Sequence, residues 1–225
     1  MDDLHRLYAE ITACRACPRL VGWREEVAVT KRRSWRDWDY WGRPVPGFGD
    51  PSARLLLVGM APGAHGANRT GRLFTGDASG DFLYPALHRA GFASQPNSTH
   101  RDDGMDLRDC FITCVARCVP PQNKPDPGEI ANCRPFLSRE LALLPRVQVV
   151  MPLGRIAFDG YLAGLRALGH TIPRLDFAHG AHHTLPGDLP AILCAYHPSQ
   201  QNTRTGRLTA AMMDDVLAQA RALLT

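Results

Sequence analysis

Residues 54–80 read RLLLVGMAPGAHGANRTGRLFTGDASG, and the fold turns on what this stretch is. A short apolar run, 54–59, passes into a glycine-rich loop and then towards a helical pattern. That is the placement of a phosphate-binding loop between strand and helix. The chemistry of such loops is missing. There is no Gly-Lys-Ser/Thr ending, and the glycines do not fall in the G-x-G-x-x-G order of a dinucleotide fingerprint. The loop has the position of a ligand loop without the residues that hold a nucleoside triphosphate or a nicotinamide cofactor.

Three further apolar runs, Cys110–Val115, Val147–Pro152 and Ala191–Tyr196, join Leu55–Val58 as expected buried strands. Helical patterns lie between and around them, at Asp3–Cys14, Asp77–Ala90, Pro127–Leu144, Arg155–Leu168 and Leu208–Leu224. The alternation predicts a three-layer α/β/α sandwich on a central, mostly parallel four-stranded sheet. Ligands bind such sheets beyond the carboxyl ends of the strands. The loops beginning at Gly59, Ala116, Leu153 and His197 therefore share the expected functional edge. The Pro-rich links RPVPGFGDP (43–51) and CVPPQNKPDPGE (118–129) read as ordered loops, not domain linkers. Residues 1–225 are expected to form one domain.

Of the 225 residues 44% are apolar and 21% charged, with a net charge of +4. This ordinary globular balance permits a polyanionic partner without requiring one. No apolar run approaches the roughly 20 residues of a membrane span, and MDDLHRLYAE carries acids where a signal peptide carries bases. A cytoplasmic monomer with no membrane partner is expected. The segment TKRRSWRDWDYWGR (30–43) interleaves Lys31, Arg32, Arg33, Arg36 and Arg43 with Trp35, Trp38 and Trp41. Cations beside aromatics suit a phosphate backbone and unstacked bases. The other reading is a solvated basic segment whose tryptophans cover the core.

Seven cysteines in a chain without a secretory signal argue against a disulfide framework. Cys14 and Cys17 form C-R-A-C-P, and Cys118 and Cys133 lie in RCVPPQNKPDPGEIANC (117–133). Two close thiols with two more around a Pro-rich loop make a four-thiolate site for structural zinc or an iron–sulfur cluster. The wide spacing, without a second C-x-x-C, favours a [4Fe–4S] cluster. Cys110, Cys114 and Cys194 sit inside apolar strand patterns and read as small buried hydrophobes.

Together, G-x-A-P-G (59–63), G-R-x-F-x-G (71–76), the four-cysteine pattern and HPSQQNTRTGR (197–207) resemble the iron–sulfur uracil-DNA glycosylases. The likeness runs from Cys14 to the last helix and is greatest to the branch called family 5, or type 5. It implies a monofunctional DNA N-glycosylase that flips a damaged base out of double-stranded DNA, with a [4Fe–4S] cluster on Cys14, Cys17, Cys118 and Cys133. The residue chemistry fits. Amides of the Ala61-Pro62-Gly63 turn can approach a base edge because Gly63 has no side chain in the way. Phe74 offers a stacking face, with a core contact as its plain alternative. His65 is a candidate contact to base or DNA, or a surface loop residue. By resemblance, His197 donates to the base oxygen as negative charge develops; a satisfied structural histidine is the alternative. Ser199–Arg207 is read as a polar, flexible loop entering the minor groove, with Arg204 and Arg207 for phosphates and only Leu208 as an apolar wedge.

The chain departs from the strict uracil enzymes at two places. They carry an acid after the first motif glycine, where this chain has Met60, and an asparagine that reads uracil, where it has Cys114. Losing that reader removes the donor and acceptor that reject other bases, and the resemblance to the family-5 branch implies a broad range: uracil, hypoxanthine and other damaged bases in double-stranded DNA. Asp77 is the candidate carboxylate for stabilising the sugar cation or activating water, though aspartate there is also a good helix N-cap. Asn123 is a second polar candidate, with a turn residue as its alternative. His179–His183, HGAHH, lacks zincin spacing and reads as loop histidines. The cluster is expected to tie the N-terminal helix and arm (1–50) to the rest. Two competing functions are a uracil-only family-4-type glycosylase and a non-enzymatic iron–sulfur DNA-binding protein.

Overall fold

Six strands form one sheet: β1 (Phe48–Gly49), β2 (Leu55–Gly59), β3 (Cys110–Cys114), β4 (Val149–Pro152), β5 (His182–His183) and β6 (Ala191–Leu193), in the order β1-β3-β2-β4-β6-β5. This is a computed structural model describing residues 2–224; the ends of the expected 1–225 domain, Met1 and Thr225, lie outside the described residues. The four central strands are parallel, as expected from their largely apolar runs. The expected count of four is corrected to six by the antiparallel edge strands β1 and β5. Each is two residues long, too short to show a period of two. The sheet is mixed only at its rims.

Eight α-helices among the described residues surround it: α1 (Asp2–Ala13), α2 (Pro18–Thr30), α3 (Ala67–Thr70), α4 (Ala78–Arg89), α5 (Pro127–Ala142), α6 (Arg155–Ala167), α7 (Gln200–Arg204) and α8 (Ala210–Leu223). Alternation along β2 divides the core. Leu55 and Leu57 face Leu83, Leu87, Met213 and Leu217 of α4 and α8. Leu56 and Val58 face Leu137 of α5 and Phe158, Tyr161 and Leu165 of α6. The α5 side is extended by α1. The architecture is thus a three-layer α/β/α sandwich, and no helix among the described residues is long and apolar enough to cross a membrane.

Helix starts follow their caps. Asp77 accepts from the amides of Ser79 (3.0 Å) and Gly80 (3.1 Å) at the head of α4. Asp126 and Glu129 form a capping box at α5. Ser199, accepting from Asn202 N at 3.3 Å, starts α7 inside the stretch expected to be a flexible loop. That expectation is corrected: one capped helical turn orders it. The carboxyl ends of the central strands are stitched together by backbone bonds, Val115 N to Gly59 O (3.0 Å), Leu153 N to Val58 O (2.8 Å) and Gly154 N to Ala195 O (2.8 Å). All four expected loops leave from this edge.

Candidate active site

Phe74 holds the centre of the edge. Its backbone is left-handed (φ 52°), an uncommon state for a bulky residue and a cost of roughly 1–3 kcal/mol where it is imposed. The surroundings impose it. Arg72, on one side, is buried and donates to Thr75 Oγ1 (2.9 Å), Ser98 Oγ (2.9 Å) and the Asp103 carboxylate (2.8 Å). The Tyr84 hydroxyl donates to Leu73 O at 3.1 Å. The Phe74 ring lies on Gly59, where a Cβ would stand 3.1 Å from it, so the first motif glycine makes room for the ring. Its other neighbour is the His197 imidazole, at 5.9 Å between ring centres and 37° between planes.

His197 follows Tyr196 beyond the end of β6. Its carbonyl accepts from Asn202 Nδ2 at 2.8 Å, which joins the α7 turn to the histidine. Gly154, at φ 95°, passes close behind; a Cβ there would stand 3.2 Å from His197 Cβ. Burial lowers the His197 pKa to about 4. The imidazole is therefore neutral near pH 7, one ring nitrogen carrying a proton and the other a lone pair.

Asp77 follows three residues after Phe74, at the head of α4. One carboxylate oxygen caps α4; the other lies against the 59–66 loop. A Cβ at Gly63 would come within 2.8 Å of that oxygen, and one at Gly66 would overlap it, so both positions need glycine. Desolvation raises the Asp77 pKa and Asp81 adds to the rise, while the Gly80 and Ser79 amides and the Arg69 charge pull it down. The Ala61 and Gly63 amides donate no hydrogen bond to the described residues. Phe74 thus packs on His197 and Gly59, and Asp77 on Gly63 and Gly66, all on the loops that leave the same sheet edge.

Other expected site residues lie apart. The Asn123 side chain is exposed on a left-handed turn (φ 56°) and makes no hydrogen bond to Phe74, Asp77 or His197. His65 Nδ1 is hydrogen-bonded to the Tyr40 hydroxyl at 3.1 Å, so its ring turns to the arm. Burial, with the charges of Arg32 and Arg69, lowers its pKa. Arg204 and Arg207 are exposed on the α7 turn and just after it, and Arg207 stacks 4.9 Å over Tyr196. Leu208 is 1% exposed and belongs to the core, so it provides no wedge for a base stack.

The tryptophans answer the question posed by their segment. Trp35 and Trp38 pack on the Arg69 guanidinium at 3.8 and 4.0 Å, and Trp41 packs on Gly71. They cover the motif loop. No sequence-local signal marked Arg69, since a buried arginine is legible only when its partners are known. The HGAHH histidines are partly strand: His182 and His183 form β5, and His179 bonds Met212 O and the Tyr196 amide, each at 3.1 Å.

Cys14 and Cys17, in the link between α1 and α2, come together with Cys118, in the loop after β3, and Cys133 of α5. With Leu20, Arg117 and Phe136 they line a small pocket of about 10 Å³. Among the described residues no three His, Cys, Asp or Glu are arranged round a single ion. Three of the sulfurs accept N–H bonds: Cys118 from the buried Arg24 guanidinium (3.1 Å), Cys17 from Asn132 Nδ2 (3.4 Å) and Cys133 from the Arg117 amide (3.5 Å). Burial pushes the Cys118 thiol up to about 11 and raises that of Cys133. Without a metal these thiols are protonated at neutral pH, and a metal would hold them as thiolates. The donor set, its N–H partners and the cationic neighbours Arg24 and Arg117 fit an anionic cluster. Cys110, Cys114 and Cys194 are buried in the sheet, as expected.

Comparison with known proteins agrees with this architecture. Residues 46–221 match the model of the uracil DNA glycosylase superfamily. A type-5 uracil-DNA glycosylase of Thermus thermophilus is 55% identical over 223 residues, 98% of either chain. One from Pyrobaculum aerophilum is 44% identical, over 93% of this chain and 88% of the relative. A type-4 uracil-DNA glycosylase from the latter organism is 28% identical, over 88% and 83%. The chain belongs to the uracil DNA glycosylase superfamily, in its type-5 branch.

Proposed function

We propose that this protein is a DNA repair glycosylase that takes uracil and other deaminated bases, such as hypoxanthine, out of double-stranded DNA. It hydrolyses the N-glycosidic bond and leaves an abasic site. What supports this reading is the stacking of Phe74 on His197 and the contact of Asp77 with Gly63, on loops that leave one sheet edge and carry the Ala61 and Gly63 amides. A flipped base stacks on Phe74, with its edge towards the two amides; such stacking contributes about 1–3 kcal/mol per base. His197, neutral, donates its N–H to the base oxygen as the bond breaks. The Asp77 carboxylate stabilises the sugar cation and orients the attacking water.

Breadth follows from what the pocket lacks. The Cys114 thiol donates to Ala116 O at 3.1 Å and presents no carboxamide to a base edge. Discrimination through an unmet hydrogen-bonding partner therefore does not operate there. Lys31 and Lys124 are the chain's only lysines. Lys31 donates to Arg36 O and Trp38 O, and Lys124 is exposed, so neither is placed to form a Schiff base. A panel of duplexes bearing one uracil, one hypoxanthine or only normal bases tests the reading. Release of uracil and hypoxanthine but not cytosine is expected; release of uracil alone returns the enzyme to the uracil-only class.

Arg204 and Arg207 meet backbone phosphates beside the flipped nucleotide. Replacing both with alanine should flatten the dependence of log Kd on log salt by about 0.9 for each phosphate they no longer neutralise. An unchanged slope contradicts their role.

A [4Fe–4S] cluster is held by Cys14, Cys17, Cys118 and Cys133. When bound it supplies cross-linking, not chemistry, since base excision moves no electrons. It works with the Arg19–Glu129 pair (2.7 Å) to fasten α2 to α5. Cys118→Ser should lose the sulfur-to-iron absorbance, melt earlier and bind duplex weakly, with the order of preferred bases unchanged. A stable Cys118→Ser protein with full activity contradicts this. One cytoplasmic monomer is sufficient for the reaction so described.

A further inference from the structure

The arm between α2 and β1 carries Trp35 and Trp38, which enclose a buried side chain that braces the pocket loop. Arg69, on α3, is 1% exposed. Its Nε donates to His65 O at 2.7 Å and its Nη2 to Gly76 O at 2.8 Å. These two carbonyls belong to the residues just before Gly66 and Asp77, which form the contact between the loop and the carboxylate. One guanidinium therefore ties together the two strands of chain whose next residues set the position of Asp77.

The guanidinium plane is itself held by π faces. Trp35 and Trp38 stand 5.3 Å apart in an edge arrangement (83°), with Arg69 Cζ 3.8 and 4.0 Å from their centres. The arm is fixed over α3 by Trp41 N to Arg69 O (2.9 Å) and Gly42 N to Asn68 O (3.0 Å). Lys31 braces it from within through the Arg36 and Trp38 carbonyls. Lysine cannot replace this arginine: it has no planar fork to bond two carbonyls while stacking.

We propose that Arg69 is a positioning residue for Asp77, and that Trp35 and Trp38 serve catalysis by holding Arg69 rather than by touching DNA. The inference rests on the role proposed for Asp77. Misplacing a reacting group by about 1 Å can cost on the order of 100-fold in rate, so the loss belongs in the excision step and not in duplex binding. The charges facing Asp77 are Arg69 from α3 and Asp81 from α4, and the amides of Ser79 and Gly80 face it too. Removing the Arg69 charge leaves Asp81 unopposed and moves the acid limb of the rate profile to higher pH.

The test compares Arg69→Gln, Arg69→Lys, Trp35→Leu/Trp38→Leu and Trp35→Phe/Trp38→Phe with wild type. Leucine keeps apolar cover but removes the π face, and phenylalanine keeps both in part. Two readouts are taken: single-turnover uracil release against pH beside duplex Kd, and hydrogen–deuterium exchange across residues 63–80. The expected result is a rate loss of about 100-fold in Arg69→Gln and Arg69→Lys, with Kd within a few-fold of wild type. The acid limb should move up in Arg69→Gln, exchange should be faster in the leucine double variant, and the phenylalanine pair should recover most of the rate. Wild-type rates and exchange in the leucine variant overturn the proposal, as do parallel losses of rate and affinity. If Arg69→Gln does not fold, the two tryptophan double variants decide. A wild-type protein that releases no base overturns the glycosylase reading instead, and the exchange data then still decide whether Arg69 and its tryptophans hold the loop.

Discussion

Asp77→Asn should lower single-turnover base release by about 10²–10⁴-fold, the range of a positioned acid–base group, while the protein melts as wild type does. The two effects separate because asparagine is as good an N-cap as aspartate. It keeps an acceptor for the Ser79 and Gly80 amides and loses only the charge facing the loop. Asp77→Ala loses the cap as well and should cost about 1 kcal/mol of stability besides. The wild-type pH profile carries the same signature. Desolvation holds the Asp77 pKa above the ordinary carboxylate value. The ionised form is the working one, so the rate falls as pH drops through that raised pKa and is level above it. The Asp77→Asn profile should lack this limb. An Asp77→Asn protein releasing base at the wild-type rate would reduce the residue to a cap.

His197→Ala should cost about 10²–10³-fold in the excision step, or roughly 3–4 kcal/mol, with duplex affinity little changed. Charge on the departing base develops in the transition state, so a donor aimed at it acts there more than in the bound ground state. With its pKa lowered to about 4, His197 gains a proton only as pH falls towards that value. It adds no limb between pH 5 and 8, unlike a histidine at its ordinary pKa. Rate and affinity profiles of the alanine variant check both statements. A step near pH 6.5 that disappears in His197→Ala would mean a solvated, titrating histidine.

The layers were legible from local pattern. Leu55–Val58 is apolar without interruption and Cys110–Val115 is broken only by the buried Thr113, because both faces are covered, and Asp126 with Glu129 announces the head of α5. The two-residue edges β1 and β5 offered no period to read. Helix α2 was signalled only by Pro18 at its first position, and α7 only by Ser199. At the site, Phe74 and His197 stand at motif positions, and Asp77 is legible only as the carboxylate nearest Phe74 in sequence. Their mutual placement depends on contacts remote in sequence. Arg69 with Trp35 and Trp38, or Gly154 behind His197, joins segments that no periodicity relates. The tryptophan segment shows the limit best. Cations beside aromatics describe a nucleic-acid surface and an internal cation–π clamp equally well, and only the direction of the rings separates them.

The measurement that tests the central claim most directly is base release from a duplex with a single uracil, followed by gel analysis before and after alkali. The account predicts free uracil, an unbroken strand before alkali and a cut at that site after it. An intact duplex with no free base, or a strand nicked without alkali, would contradict it.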